Sequence, residues 1–527
     1  MKITRFAIVA IGVALAAVTA AGCYSTRENA LVGVLEKPES GIQTRHGQPI
    51  AGFTTADGRY REFDGRVRVI AGDSLEFFRD YHPGGLTERP PSENRLVHAR
   101  SDVATIFTKE LNPAKTVLAT IGITVLVAGI LLGIAIATKE SCPFLYSWDG
   151  EKYVFDGEPY GGATMAGLER TDWSELEHLV PVGGEYRLAI TNEVDETQHT
   201  NSLSLLVVDH PAGSTVVMDR QGRPHAFRRL EPLSDARDEN GRDLGRWLRD
   251  NDRVSWYPDL ERYANRDSLA DTRNHLTLRF RRPAGRGPLW LVANAGTGLW
   301  GSHMIRSMLM ARGDRLPEFY AAINGSSAYR QQLLEWNERE ELFELFPELR
   351  CGDRWVRQDF LPGGGPFMTE SRAIPLGACE PAEQSVEIRI HPPVGFWNLN
   401  SFHLAAGEDS VHVTQLPPRV VRDQHGADVT ARLLRDDDVT LDFPTRDDRA
   451  TLVFEAPPLR GLKRTVFAVT RGWYEVHMHG LGEPDYAAID RMTSEPGYVV
   501  RRAMKEFVQF RLTGVLVGTE ADSATVR

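Results

Sequence analysis

The sequence predicts a mainly β protein: a small N-terminal β-meander, one transmembrane helix, then β-sandwich or jelly-roll-like domains with a helical insertion. Three observations carry that expectation. Runs that alternate or are wholly apolar recur roughly every 10–15 residues, with Pro and Gly between them. A long uncharged run lies between residues 117 and 137, well apart from the hydrophobic N-terminus. One stretch of apolar residues at helical spacing, around residues 326–347, interrupts the strand pattern.

At 527 residues the chain is too long for one core, and about three folded units are expected. Its net charge of -11 argues against nonspecific nucleic-acid binding, which needs a basic surface. The cysteines Cys23, Cys142, Cys351 and Cys379 are too few for a disulfide scaffold and lack the CxxC spacing of a structural zinc site.

Residues 1–22 read as a signal peptide: MKITR, then FAIVAIGVALAAVTA, then AGC. The ending Ala20-Ala21-Gly22-Cys23 resembles a bacterial lipoprotein signal, in which Cys23 would be lipidated and become the new N-terminus. Ala20 departs from that pattern, where Leu is usual, and an uncleaved anchor is the alternative. Residues 23–112 are expected to form a small β domain. FTTADGRYREFDGRVRVIAGDSLEFF alternates around Asp57-Gly58, Asp64-Gly65 and Gly72-Asp73, as a meander would.

Residues 113–139 hold VLATIGITVLVAGILLGIAIA, a transmembrane helix by length: its 21 residues rise about 32 Å, against ~30 Å of hydrocarbon. Gly129 and Gly133 have GxxxG spacing, which would let two such helices pack as a homodimer. One crossing after a lipidated Cys23 would put the rest of the chain in the cytoplasm. Arg100, Lys109 and Lys115 before the run, against Lys139 and Lys152 after it, point the other way. The expected location is the bacterial cell membrane and envelope, with the side of residues 140–527 open.

Residues 140–300 form the next expected β-rich domain. It opens with CPFLYSWDGEKYVFDGEPYGGA, where Asp149-Gly150 and Asp156-Gly157 are read as two turns. Asp149, Asp156 and Glu158 lack EF-hand spacing. VVMDRQGRPHAF reads as a hairpin around Gln221-Gly222. Residues 301–350 form the helical insertion: Ser326-Ser327 caps a helix, and Tyr329, Leu333, Trp336 and Phe343 make a core stripe that Pro347 stops. Residues 351–482 return to sandwich-like strands, 483–515 hold a C-terminal helical segment, and 516–527 a disordered tail.

CPFLYSWDGEKYVFDGEPYGGA, LAITNEVDETQHTNSLSLLVVDHP and RGWYEVH together resemble a β-rich module of bacterial envelope and secreted proteins, over roughly residues 141–480. The resemblance implies a surface-associated β protein and brings no activity with it.

Two motifs could carry chemistry. In NAGTGLWG, Gly296, Gly298 and Gly301 spell GxGxxG between a strand-like and a helix-like stretch, with Glu318 following. The bulk of Trp300 and the missing βαβ alternation favour a plain loop, so no cofactor site is assigned. In GWYEVHMHGLGE, Glu475, His477 and His479 share one strand face, and Glu483 follows at the turn. His477, His479 and Glu483 look like part of a cupin metal motif for a transition metal, but no His follows His479. The plain alternative is the polar side of an amphipathic strand. Cys351 and Cys379, in loop-like sequence of one domain, would form a disulfide if that domain lies outside the cytoplasm, closing a loop of about 28 residues and stabilising by roughly 3–4 kcal/mol, with two buried free thiols as the alternative. No catalytic residues are assigned. The expected function is non-catalytic binding or scaffolding by a membrane-anchored envelope protein, with an envelope protein or a glycan as partner. A metal-dependent enzyme using His477 and His479 is the alternative.

Overall fold

A computed structural model describes residues 24–30, 48–56, 60–70, 74–78, 95–111 and 143–513, the last range with breaks at 254, 259, 261–262, 264–271, 284–286, 367, 378–383, 438, 460–461 and 479–480. The signal with Cys23, the apolar run with Gly129 and Gly133, Cys142, Cys379, His479 and the tail lie outside the described residues. Among the described residues no helix is long and apolar enough to cross a membrane. The chain divides into two units, one of residues 1–136 with 252–254 and one of residues 137–251 with 255–527.

The first unit is a six-stranded antiparallel sheet. Its strands are β1 (Tyr24–Ala30), β2 (Gln48–Thr55), β3 (Tyr60–Ile70), β4 (Ser74–Phe78), β5 (Arg95–Ala99) and β6 (Val103–Leu111), in the order β1-β6-β2-β3-β4-β5. The run β2 to β5 is a meander. Period-two alternation puts Leu75 and Phe77 on one face, where Phe77 stacks on Phe53 at 4.0 Å among Val67, Val103 and Ile106. Asp64-Gly65, expected as a turn, lies inside β3. Its ladder with β2 shifts register between Ile50 and Gly52, so the extra residue is taken up as a bulge and not as a reversal.

The second unit is a two-sheet sandwich with a further, ten-stranded sheet inserted into it. The chain first lays down β7 (Phe144–Trp148), β8 (Tyr153–Gly157), β9 (Arg170–Glu175), β10 (Glu185–Thr191) and the long β11 (Glu196–His210). It then leaves the sandwich for β12 (Thr215–Asp219), β13 (Pro224–Phe227), β14 (Glu231–Arg237), β15 (Leu276–Arg281), β16 (Leu289–Thr297), β17 (Glu344–Leu345), β18 (Glu348–Cys351), β19 (Arg354–Arg357), β20 (Leu361–Pro362), β21 (Glu370–Leu376), β22 (Ser385–Ile390) and β23 (Trp397–Ala406). It returns for β24 (His412–Leu416), β25 (Val420–Asp423), β26 (Leu441–Phe443), β27 (Arg449–Glu455) and β28 (Lys463–Val476).

The sandwich sheets run β25-β27-β10-β7-β8 and β24-β11-β28-β9, with β26 also on β11. Leu188, Ile190, Leu452 and Phe454 from the first meet Leu203, Leu205, Val466 and Ala468 from the second in one buried core. The inserted sheet has ten strands in the order β13-β12-β21-β16-β23-β14-β15-β22-β18-β19. Val216, Met218 and Ala226 of the insert pack on Val208 and Phe467 of the sandwich.

The domain boundaries expected at 300 and 350 do not follow the sheets. β10 pairs with β27, β11 with β28 and β16 with β23, so residues 140–300 and 351–482 share every large sheet of this unit. Strands pair by register, and register joins residues far apart in sequence.

The helices are α1 (Gly245–Leu248), α2 (Leu299–Met310), α3 (Leu316–Gly325), α4 (Ser327–Glu340), α5 (Tyr486–Ser494) and α6 (Tyr498–Thr513). Ser326 caps α4, its hydroxyl accepting from the Tyr329 amide. The expected core stripe is only half-buried. Tyr329 is 55% exposed, Leu333, Trp336 and Phe343 are half-buried, and Trp336 docks by donating to the Met492 carbonyl at 2.7 Å. The helix ends at Glu340, ahead of Pro347, because Glu341 turns left-handed at φ 54°.

Candidate functional site

Asp149 folds the opening hairpin by accepting from the amides of Glu151 and Lys152, both at 2.8 Å, and Gly150 supplies φ 100°. Asp156-Gly157 is not a turn. Both residues lie in β8, where buried Asp156 accepts from the His178 amide at 2.9 Å and sits 2.6 Å from its Nδ1. The reversal comes later, at Tyr160, whose φ is 46°. Asp149, Asp156 and Glu158 thus serve three different contacts, Glu158 packing against Gly365.

Three glycine motifs that are far apart in sequence meet here. A Cβ on Gly161 would lie 2.8 Å from the Gly365 nitrogen, and one on Gly296 would lie 2.7 Å from the Met368 carbonyl oxygen. Thr297 donates through its hydroxyl to the Gly364 carbonyl at 2.8 Å. The Gly363–Gly365 loop therefore threads between the start of the sandwich and the end of β16. A small cavity at this seam, lined among others by Gly162, Thr164, Thr297, Ser302, Phe343 and Tyr474, has room for about one water.

The seam also answers for GxGxxG. β16 and α2 do form a strand–turn–helix, but β16 pairs antiparallel on both sides, with β21 and β23. A Cβ on Gly298 would touch the Tyr257 ring at 2.9 Å, and one on Gly301 the Phe396 carbonyl oxygen at 2.5 Å. The space a pyrophosphate would need at this helix start is filled by the protein's own chain.

Beside the seam lies a buried ion network that the sequence did not announce. Arg372, 4% exposed, donates to Asp172 at 3.0 Å and to Glu370 at 2.5 Å, and Arg170 reaches Asp172 at 3.0 Å. Burial would raise the Asp172 carboxyl, but Arg170 and Arg372 outweigh it and hold the group below its ordinary value. Glu370 goes the other way, because burial, together with the neighbouring Asp172 charge, outweighs Arg372 and Arg170. The network links β9 of the sandwich to β21 of the insert.

The outer face of β11 and β28 is the more accessible polar surface. Register sets Thr197 opposite Glu475 and His199 opposite Trp473. His199 lies flat on Trp473, ring centroids 3.9 Å apart and 17° from parallel, and its Nδ1 is 2.7 Å from Asp442. Burial raises the Asp442 carboxyl, and hydrogen bonds from His199 and Thr440 more than reverse this. Arg471 pairs with Glu169 and Asp436, both at 2.9 Å.

The predicted metal ligands divide. His477 stands on this face just past β28, with Nδ1 2.9 Å from Asp195 and Nε2 2.9 Å from Thr197. Both ring nitrogens are thus engaged with protein oxygens. Glu483 is exposed in the loop that leads to α5, and His479 lies outside the described residues. Among the described residues no group of three or more His, Cys, Asp or Glu is arranged to hold a metal ion. Cys351 is disulfide-bonded. Leu349, two residues earlier, pairs with Ile388 in β22, the strand that follows Cys379 in sequence.

Period two already placed Glu475 and His477 on one face. The partners Thr197 and His199 come from β11 and Asp195 from the bend just before it, which no local pattern could supply.

No family model and no curated protein matches the chain. Among solved structures, it is similar to a β-porphyranase of glycoside hydrolase family 86 from the human gut bacterium Bacteroides plebeius, at 9% identity over 58% of this chain. The TM-score is 0.15 and the chain spans 42% of that enzyme's length, a likeness too slight to carry any argument about fold or activity.

Proposed function

We propose that this is a membrane-anchored bacterial envelope protein whose large unit binds or presents a ligand without catalysis, through the sandwich. The observation that carries the reading is the β11/β28 face. There Trp473, His199, Asp442, Arg471 and His477 are half-exposed or exposed, yet each is fixed by a partner. A surface of fixed aromatic and hydrogen-bonding groups loses little entropy on binding. It suits a polar partner, a glycan or an envelope protein. Titration of the protein with soluble cell-wall glycan fragments, wild type against Trp473→Ala, tests this. Binding that the substitution abolishes supports the reading, and turnover of the fragments overturns it.

Anchoring rests on the apolar run at 117–137 and the lipoprotein-like Cys23. One crossing after a lipidated Cys23 would place the large unit in the cytoplasm, whereas the disulfide at Cys351 and the basic residues before the run favour an oxidising compartment for it. Reporter fusions after residue 140 test that side, and a cytoplasmic signal removes it.

A further inference from the structure

A sheet edge is a row of unpaired N–H and C=O groups, and proteins blunt it with charge, Pro, bulges, brevity or a covering element. The edges of the large unit follow that rule with one departure. β9 carries Arg170, Asp172 and Glu175, and β19 has an arginine at each end, Arg354 and Arg357. β25 is short and ends in Arg422-Asp423, and β13 is short and begins with Pro224. β8 is closed over by β9, Ser174 standing 2.8 Å from where a Gly157 Cβ would be.

β24, five residues long and followed by Pro417-Pro418, carries no charge, Pro or bulge within the strand itself. It forms the edge of β24-β11-β28-β9, in unbroken register with β11 from Leu205↔Leu416 to Asp209↔His412. From Ser410 to Leu416 the chain reads SVHVTQL, without Asp, Glu, Lys, Arg, Pro or Gly. His412 and Gln415 are exposed, and Val413 is 41% exposed.

We propose that β24 pairs antiparallel, across a two-fold axis, with β24 of a second copy of this chain, joining the two sheets into one. The strand is complementary to itself. Centred on Thr414, the pairing sets Val413 opposite Gln415 and His412 opposite Leu416, and no like charges face each other. On a chain of net charge -11 that opposes self-association in general, this strand presents no charge to a second copy. Backbone hydrogen bonds along the strand supply the affinity, as in other strand additions.

The test uses the full chain in mild detergent. Thr414→Cys brings two thiols together at the two-fold, since directly opposed Cβ atoms lie about 4.5–5.5 Å apart. A disulfide-linked dimer is expected that the unsubstituted chain does not form. The pair Val413→Lys with Gln415→Lys sets lysines against each other and is expected to shift the mass in solution from dimer to monomer. Gly129→Ile with Gly133→Ile separates this from packing of the apolar runs. A dimer that the lysines leave intact but the isoleucines abolish overturns the β24 pairing, as does a wild-type chain that is monomeric and uncrosslinked.

Discussion

Arg372 on β21 and Asp172 on β9 are 3.0 Å apart, and both are almost fully buried. This contact ties the inserted sheet to the sandwich by charge, beside the apolar packing of Val216, Met218 and Ala226 on Val208 and Phe467, with Glu370 and Arg170 completing the network. Removing one partner of a buried pair leaves an uncompensated charge, which costs about 3–5 kcal/mol. Arg372→Met should therefore strongly lower the thermal midpoint of the large unit. Restoring the balance with Asp172→Asn and Glu370→Gln in the same chain should recover much of the loss.

The glycine seam makes a sharper contrast. Gly296→Ala forces a methyl to 2.7 Å from a backbone oxygen, whereas Gly377→Ala meets nothing within 4 Å. Overpacking of this kind costs about 1–3 kcal/mol. Chemical denaturation should show a lower midpoint for the first substitution and none for the second.

His225 is placed between Asp219, 3.1 Å from its Nε2, and Glu408, 2.9 Å from its Nδ1. Burial pushes its pKa down, and the two carboxylates more than reverse that, leaving it above the ordinary histidine value. A raised folded pKa means the stabilisation is fully present below about pH 6.5 and fades as pH rises through the folded value. Thermal midpoints measured across that range should fall for the wild type. The fall should be smaller in His225→Gln.

Cys351 is disulfide-bonded, and the pairing of Leu349 with Ile388 brings its strand alongside the one that follows Cys379. Cys379→Ser should free one additional thiol by titration and lower stability by roughly 3–4 kcal/mol. The same result from Cys142→Ser, with none from Cys379→Ser, would reassign the bond.

His477 already gives both ring nitrogens to Asp195 and Thr197. Metal analysis of the purified protein should find no stoichiometric transition metal that His477→Ala removes. Finding one would revive the cupin-like reading and with it an enzyme.

The sequence by itself determined what depends on neighbours a few residues apart. Period-two alternation marked the strands, the Asp149-Gly150 turn follows from a carboxylate and a residue free to take positive φ, and Ser326 capped its helix. It also placed Glu475 and His477 on one face. The tertiary structure alone decided what depends on register. β11 and β28 are adjacent although 278 residues separate Thr197 from Glu475, and the insert between them divides a sandwich that local pattern read as two domains. Asp156-Gly157 and Asp64-Gly65 have turn chemistry but lie in strands, because Asp156 found His178 and β3 bulged opposite β2. The three glycine motifs look like separate loops until the fold stacks them. Glycine is required there by backbone passing within van der Waals reach of backbone, a condition that local sequence does not encode.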